Sequence, residues 1–138
     1  MSRLMSVSHT EQAVVERRKT VTRRLGWRML KPGDTLTLCR KVQGRRRKDG
    51  TVEPLVRLAE VEVVSIRREA LIAMTDDDVP REGVPVEQWG AYPGRGKWAW
   101  VEWFCDTMSV LPETEITRIE WRYLPSDGGM LPDLASDR

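Results

Sequence analysis

A lysine and a threonine lie close enough in this chain to support nucleophilic catalysis. They are Lys19 and Thr22, in the basic stretch 17–24, which reads RRKTVTRR. A threonine hydroxyl is a weak nucleophile until a base removes its proton, and a neutral lysine can be that base. Because the chain has a single histidine, His9, we expect neither a Ser-His-Asp triad nor a histidine-based metal centre.

The protonation state of Lys19 decides whether this chemistry is possible. A free lysine has a pKa of about 10.4, but burial and the positive charges of Arg18, Arg23 and Arg24 would favour the neutral amine. The alternative is that Lys19 is an ordinary charged residue and Thr22 an ordinary strand or capping hydroxyl.

The backbone between Lys19 and Thr22 sets a geometric condition. A spacing of three residues places two side chains on the same side of a helical turn. The same spacing places them on opposite faces of an extended strand. Joint action of the two side chains therefore requires a turn or an irregular backbone at this point.

Two basic stretches could contact phosphates. They contribute Arg17, Arg18, Arg23 and Arg24 from the first stretch and Arg45, Arg46, Arg47 and Lys48 from the second. Clustered cations bind nucleic acids through the phosphates, although a charged hairpin tip can also be a solvated turn. Residues 1–60 carry a net charge of +9 (15 Lys or Arg against 6 Asp or Glu), and residues 61–138 carry −7 (8 against 15). This asymmetry indicates either a polarised surface with a polyanionic partner or two halves that neutralise each other in the fold.

Length and composition indicate one domain in the cytoplasm. The 138 residues are 40% apolar and 32% charged, which suits a domain with a modest core. Since no apolar run approaches about 18 residues, no membrane span is expected, and we expect no secretory signal. Cys39 and Cys105 match no metal or redox spacing, as is usual in a reducing compartment. We expect a single domain over 1–124, a flexible tail over 125–138, and no metal or cofactor.

Local patterns predict a mixture of helices and strands. The sequence Ser8-His9-Thr10-Glu11 has the form of a capping box and predicts a helix over 10–17. Strict alternation predicts a strand over 35–39, and apolar residues at helical spacing predict a helix over 97–108. A polar hairpin loop is expected over 43–50, since Asp-Gly at its end is a strong turn dipeptide.

Two longer strands are predicted over 55–67 and 115–124. In the first of them the apolar side chains change face near Ala59-Glu60, which predicts a β-bulge. A bulge would bend the strand, as the closing of a small barrel requires.

Two further groups of side chains allow both structural and functional interpretations. We expect Trp98 to pack in the core, whereas Trp89, Trp100 and Trp103 could either pack or form an aromatic shelf for a nucleobase. Residues 75–78 read Thr-Asp-Asp-Asp. They fit a helix N-terminus capped by the threonine better than a cation site, because three consecutive carboxylates do not converge easily on one ion.

The order of these pieces resembles the ASCH domain family. A short helix precedes Arg-Lys-Thr-x-Thr-Arg-Arg at 18–24, Leu-Lys-Pro-Gly-Asp at 30–34 enters a strand, and Ile-Thr-Arg-Ile-Glu-Trp at 116–121 closes the domain. The likeness covers about residues 8–124 and is to small phage or prophage members in particular. It implies an α+β, PUA-like fold, which is a small mixed and largely antiparallel β-barrel flanked by helices. It also implies RNA binding, by analogy with PUA domains.

One bacterial branch of that family is an amidohydrolase that removes the acetyl group from N(4)-acetylcytidine. Its lysine, threonine and glutamate correspond to Lys19, Thr22 and Glu82. A Glu82 carboxylate near Lys19 would stabilise the ammonium, so the resemblance implies that Glu82 orients Lys19 or passes a proton to a leaving amine. The alternative is a plain salt bridge between Lys19 and Glu82. The chain departs from the family at Arg17, where glycine is usual, and in segments 42–50 and 85–103, which exceed the compact hydrolase pattern. The resemblance thus implies a module that recognises RNA or a modified nucleoside, or a metal-independent hydrolase of N-acylated cytidine, and we place the binding module first. A third interpretation, binding of a host protein through the Trp-rich segment 89–103, rests on the tryptophans alone.

Overall fold

A curled five-stranded sheet forms the centre of the protein. The computed structural model describes residues 2–40, 48–51, 55–85 and 96–125. The strands are β1 (Arg3–Ser6), β2 (Val21–Arg24), β3 (Thr35–Cys39), β4 (Arg57–Ala70) and β5 (Glu115–Tyr123). Their order in the sheet is β1-β3-β4-β5-β2, and all neighbours are antiparallel except β1 and β3. The sheet curls into a half-barrel, which confirms the predicted α+β, small-barrel fold class.

Short helices connect and cover the strands. They are α1 (Glu11–Val15), α2 (Asp78–Glu82) and α3 (Lys97–Met108), with single 3₁₀ turns at Ser8–Thr10 and Leu71–Ala73. None of the helices in the described ranges is long and apolar enough to cross a membrane.

Two bulges bend β4, the longest strand. Against β3, Leu38 pairs with Ala59 and Cys39 with Arg57, which leaves Leu58 as the extra residue. This bulge is adjacent to the predicted change of face at Ala59-Glu60. Against β5 the register shifts a second time at Val64, where the sequence pattern gave no signal. Each extra residue increases the local twist and lets one strand serve both ends of the curled sheet.

The buried apolar side chains form two clusters on either side of the sheet. The larger cluster packs α1 against the inner face and consists of Met5, Val7, Val14, Leu30, Leu36, Leu38, Ala59, Val61, Val63, Ile119 and Trp121. The second packs α3 against the far end of β4 and β5 and consists of Leu71, Met74, Val79, Val84, Ala99, Trp100, Val101, Phe104 and Ile116. The start of β5 is therefore buried on both faces.

The first helix begins later than the capping box predicts. A 3₁₀ turn occupies Ser8–Thr10, and α1 runs only from Glu11 to Val15, with no side-chain capping bond at either start. The Glu11 carboxylate instead accepts hydrogen bonds from Arg40, the closest at 2.8 Å. A partner that is distant in the sequence thus replaces the local capping contact.

Helix α3 has the predicted bounds but presents a different face to the core. Trp98 was expected to pack in the core, yet it is 58% exposed. The ammonium group of Lys97 lies 4.9 Å from its ring centroid. Trp100 is 1% exposed and stacks on Phe104. The prediction for Trp98 was wrong because apolar residues occur on several sides of this helix, so the helical period alone does not select one face.

Candidate functional site

A cavity of about 200 Å³ lies between β2, α2 and α3 and contains the three predicted catalytic residues. Part of the lining is polar and includes Lys19, Thr22 and Glu82, while another part is an aromatic wall contributed by α3 that includes Trp100 and Trp103. The other lining residues are Ser6, Val7, Ser8, His9, Thr10, Arg23, Arg24, Val84, Phe104 and Met108. The fold therefore brings Lys19, Thr22 and Glu82 together at one concave surface.

The backbone around Lys19 satisfies the geometric condition set by the sequence. Lys19 precedes β2 in an irregular segment, whereas Thr22 lies within the strand, and both side chains line the cavity. The Lys19 carbonyl oxygen accepts hydrogen bonds from the Trp121 indole at 2.9 Å and the Tyr123 hydroxyl at 2.6 Å. Both donors come from β5, so the last strand fixes the position of the lysine backbone. Alternation of side chains along β5 places these two aromatic residues on one face of the strand, but it gives no sign of their contact with Lys19.

The Lys19 ammonium is buried and surrounded by acceptors. The residue is 2% exposed. Its Nζ donates to the Val21 carbonyl at 2.9 Å, to the Glu82 carbonyl at 2.6 Å and to Glu82 Oε1 at 3.3 Å. Three acceptors satisfy the three protons of an ammonium group. The geometry therefore holds Lys19 in its charged form beside Glu82.

The pKa of Lys19 nevertheless lies well below the usual lysine range. Burial lowers it from 10.5 to about 8, the Glu82 carboxylate opposes this shift, and the positive charges of Arg24 and Arg23 add to the lowering. At neutral pH most molecules carry the ammonium, but a minority carry the neutral amine that a general base requires.

Thr22 is buried, and its hydroxyl is oriented by a neighbouring arginine. The Thr22 Oγ1 accepts a hydrogen bond from Arg24 Nε at 3.1 Å, and Arg24 Nη2 donates to the Ser6 carbonyl at 2.7 Å. Because Oγ1 is the acceptor in this bond, the hydroxyl proton is left to be donated elsewhere. Arg24, predicted as a phosphate contact, is half-buried here and holds Thr22 and β1 in place.

Glu82 lies at the end of α2, where the chain reverses into a left-handed conformation. The carboxylate is almost fully buried, and Oε2 accepts a hydrogen bond from Arg23 Nη1 at 3.1 Å while Oε1 faces Lys19. Gly83 follows with φ of +76°, a conformation that favours glycine. This turn directs both the carboxylate and the carbonyl of Glu82 toward Lys19.

A buried ion-pair network behind the cavity joins α2 to the sheet. Arg23 donates to Asp78 at 2.6 Å, to Glu82 at 3.1 Å and to Glu69 at 3.2 Å. Asp78 also accepts from Arg118 Nε at 2.8 Å and Nη2 at 3.1 Å. Arg23 is therefore not part of an exposed phosphate-binding surface, because its guanidinium is buried among three carboxylates.

The three aspartates at 76–78 make different contacts, and the predicted Thr75 cap is not formed. Asp77 is the residue that precedes α2, and it makes no side-chain capping bond. Asp78 points into the protein, and Asp76 Oδ1 accepts a hydrogen bond from the Lys97 amide at 2.9 Å, at the start of α3. Within the described ranges, no three His, Cys, Asp or Glu side chains come together in a way that could hold a metal ion.

The charge asymmetry of the sequence is partly neutralised inside the protein. Lys19 and Arg23, from the basic half, pair with Glu69, Asp78 and Glu82, from the acidic half. The interleaving alternative thus holds for these buried groups. The arginines that remain at the surface next to the cavity are fewer than the sequence suggests.

The remaining predicted phosphate contacts lie at the surface or outside the described residues. Arg17 and Arg18 are exposed, with Arg17 lying 5.3 Å from the Tyr123 ring centroid and Arg18 paired with Glu16 at 2.6 Å. Lys48 is exposed at the edge of the predicted hairpin loop. Residues 45–47, the three consecutive arginines, lie outside the described residues, as does Trp89.

Arg17 has a backbone conformation that favours glycine, the residue expected at this position from the resemblance to ASCH domains. Its φ is +60°, in the left-handed region. We expect Arg17→Gly protein to be more stable than Arg17→Ala protein by about 1 kcal/mol, since both lose the contact with Tyr123 but only alanine retains the left-handed strain. Urea unfolding of the two variants measures the difference. In an ordinary helix the order is reversed, so an alanine variant of equal or greater stability contradicts the assigned strain.

The aromatic wall places four rings in sequence from the rim inward. His9 contacts Trp103 edge-on, with ring centroids 5.8 Å apart, and Trp103 contacts Trp100 at 5.6 Å. Trp100 then stacks on Phe104 at 5.3 Å. Trp100 and Trp103 pack in or against the core and also line the cavity, so the packing alternative is observed and the nucleobase shelf stays a prediction.

Comparison with solved structures identifies the fold. An ASCH domain from Lactobacillus crispatus JV V101 aligns with a TM-score of 0.56 and 11% identity over 88% of this chain and 79% of that chain. A DUF984 protein from Enterococcus faecalis V583 aligns with a TM-score of 0.56 and 12% identity over 90% and 76%. The hypothetical protein PH0355 aligns with a TM-score of 0.55 and 16% identity over 90% of this chain and 100% of that chain. No family model and no curated protein matches the sequence.

These likenesses show that the chain has the PUA-like fold of ASCH domains. The resemblance read from the basic stretch and the Lys-Pro-Gly-Asp turn is thereby confirmed at the level of the fold. At 11–16% identity the comparisons show the fold alone, so any ligand has to be inferred from the residues of the site.

Proposed function

We propose that the protein recognises a nucleoside, free or within RNA, in the cavity between Lys19 and Trp100. The observation that supports this proposal is the pairing of a polar wall with an aromatic wall in one small cavity. A nucleobase has a flat face that stacks on aromatic rings and an edge that forms hydrogen bonds. The volume of about 200 Å³ is below the roughly 300–1,000 Å³ of sites for drug-sized ligands, which suits a single base rather than a larger group.

Exposed cations beside the cavity would hold the phosphates of an RNA ligand. Arg17 and Arg18 directly precede Lys19 in the chain, and both guanidinium groups are at the surface. In this proposal the second basic stretch, with Arg45, Arg46, Arg47 and Lys48, contacts further phosphates of the same RNA.

The RNA interpretation is tested by the salt dependence of binding. We expect the affinity for a short single-stranded RNA to fall as salt rises, with a slope on a log–log plot of about −0.7 for each phosphate contacted. The Arg17→Gln/Arg18→Gln double variant should bind more weakly and with a shallower slope. The control is Arg28→Gln/Arg67→Gln, which removes the same charge from exposed arginines outside the basic stretches. Negligible RNA binding, or equal effects of the two double variants, contradicts phosphate recognition by this surface.

The depressed pKa of Lys19 favours a second candidate function, hydrolysis of an N-acylated cytidine. In this reaction neutral Lys19 would take the proton of Thr22 Oγ1 as that oxygen attacks the acyl carbonyl. The carbonyl carbon–N4 bond would break, N4 would take the proton back from the Lys19 ammonium, and cytidine would leave. Water would then hydrolyse the acyl-threonine ester, so that N(4)-acetylcytidine and water give cytidine and acetate. Glu82 would orient the lysine throughout.

Hydrolysis requires a change in the contacts of Lys19. All three hydrogen bonds given above go to Val21 and Glu82, and none goes to Thr22. The lysine must lose a proton and release an acceptor before it can accept from the Thr22 hydroxyl. This requirement is the reason for placing binding before catalysis.

The pH profile of deacetylation tests the catalytic proposal. Because the folded pKa of Lys19 is about 8, we expect the rate with N(4)-acetylcytidine to rise about tenfold per pH unit up to that value and then to level off. Chromatography for cytidine measures the rate, and Lys19→Met and Thr22→Val proteins should both be inactive. Activity that persists in either variant excludes this mechanism. No cytidine from the wild type, together with saturable binding of the nucleoside, leaves recognition without turnover.

A further inference from the structure

Two buried hydrogen-bond donors without acceptors lie in the wall of the same cavity. Among the buried side-chain nitrogen and oxygen atoms that the structure describes, those without a hydrogen-bond partner are Trp100 Nε1 and Arg23 Nε. Both residues line the cavity, and they are 1% and 2% exposed. Both atoms are donors, and no buried side-chain acceptor of the described chain is left without a partner.

An unpaired buried donor is costly, so its place beside a cavity indicates a function. Folding normally satisfies such groups, because the donor has lost its hydrogen bonds to water. Trp100 is held firmly, stacked on Phe104 at 5.3 Å and packed against Trp103 at 5.6 Å. Its indole N–H cannot rotate independently of the ring, and the ring is packed in the apolar cluster between α3 and the sheet.

Several other polar groups of the cavity are already paired, which leaves Trp100 Nε1 and Arg23 Nε as its unpaired buried donors among the described residues. The Lys19 ammonium and both carboxylate oxygens of Glu82 are already paired, and the Arg24 side chain donates to Thr22 and Ser6. The buried side-chain groups of the cavity that lack a hydrogen-bond partner are therefore both donors. A ligand that complements them must present a hydrogen-bond acceptor.

We infer that Trp100 is a specificity-determining residue that donates its indole N–H to the oxo group of a planar heterocycle. The inference builds on the proposed recognition of a nucleoside in this cavity, and it names the part of the ligand that is recognised. The aromatic wall selects a flat ring, and the excess of positive groups at the wall favours an oxygen that carries partial negative charge. Pyrimidine bases with a ring oxo group have both features, whereas the same rings without that oxygen offer only ring nitrogens as acceptors.

A matched pair of small molecules tests the inference. Cytosine and 4-aminopyrimidine share the ring and the amino group but differ in the oxo group, and uracil is a second oxo-containing probe. The indole N–H signals of the ¹⁵N-labelled protein report the contact directly, and the Trp100→Phe variant assigns the signal of Trp100 among the six tryptophans. We expect cytosine or uracil to move that proton downfield in a saturable way, and 4-aminopyrimidine to leave it in place.

The affinities of the variants separate recognition from packing. Trp100→Phe should weaken binding of the oxo pyrimidines by about 10- to 100-fold, the range expected from one buried donor, with little effect on 4-aminopyrimidine. Its melting temperature should change little, because removal of an unpaired donor offsets the lost ring volume. Trp103→Phe, from the same wall, should weaken all three ligands to a similar extent, since it retains the Trp100 donor.

The outcomes also distinguish the inference from the proposed function. Equal weakening of all three ligands by Trp100→Phe, or a static Trp100 signal during saturable binding, overturns the inference while nucleoside recognition stands. Binding of oxo pyrimidines through Trp100, without any binding of nucleosides or RNA, supports the inference and overturns the proposed function. A Trp100 signal that responds to acetate and to none of the three rings overturns the role of the planar heterocycle.

Discussion

Replacement of Asp78 by asparagine is expected to lower the free energy of unfolding by about 3–5 kcal/mol, the usual cost of leaving buried charges without their partner. Asp78 is 3% exposed and accepts hydrogen bonds from Arg23 and from Nε and Nη2 of Arg118. Asparagine has no negative charge and turns an amide NH₂ toward guanidinium groups that need acceptors. Equilibrium unfolding in urea measures the loss.

The neighbouring Asp77 provides a matched control for this prediction. It is exposed and directly precedes α2 without making a side-chain capping bond. The Asp77→Asn variant makes the same chemical change one residue away, and its stability should lie within about 0.5 kcal/mol of the wild type. Similar losses in the two variants contradict the assigned role of the buried network.

The same network predicts how stability depends on acid. Burial alone would raise the pKa of Asp78, but hydrogen bonds from Arg118 and Arg23 and their positive charges lower it well below its usual range. The folded state thus binds this proton less readily than the unfolded state, in which the pKa is about 3.9. The stabilising contribution is present above pH 4 and is lost as the pH falls below that value. The Asp78→Asn protein should therefore show a flatter decline of stability between about pH 4 and 2 than the Asp77→Asn protein.

Elements with a clear local period could be predicted from the sequence. Strand β3 and helix α3 have the predicted bounds because alternation over 35–39 and helical spacing over 97–108 are each local properties. The fold class followed from the resemblance and is confirmed. The expected burial of Trp98 was wrong, and the burial of Trp100 could not be decided from the sequence, since both depend on which side of α3 meets β4 and β5.

The site was accessible to sequence reasoning only in part. Spacing alone did not connect Glu82 to Lys19, and the resemblance to a known family made that connection. Contacts between distant parts of the chain, such as Asp78 with Arg118 or Tyr123 with the Lys19 carbonyl, left no local pattern. The local sequence around Asp78 is typical of a helix N-terminus, but in the structure its carboxylate pairs with Arg23 on β2 and Arg118 on β5.

Gly83 is the second position at which a small change should have a large effect. Its φ of +76° strains any other residue, and a Cβ added there would lie 2.6 Å from Ala13 Cβ and 3.2 Å from Lys19 Cβ. We expect Gly83→Ala to lower the free energy of unfolding by about 2–4 kcal/mol, which combines left-handed strain with overpacking. Because Gly83 directly follows Glu82, the displaced backbone should also weaken binding of ligands in the cavity.

Gly26 separates the two contributions at Gly83. Its φ of +78° is nearly the same, but an added Cβ would meet no atom within 4 Å. Gly26→Ala should therefore cost only the strain, about 1 kcal/mol, and the remaining loss in Gly83→Ala measures the contact with Ala13 and Lys19. The Ala13→Gly/Gly83→Ala double variant should be more stable than the sum of the single losses predicts, since removing the Ala13 methyl relieves the closer clash. If the losses are additive, the close approach of α1 to the turn after Glu82 does not set the position of the candidate site. If they are not, that helix contact holds the Glu82 carbonyl and carboxylate against Lys19.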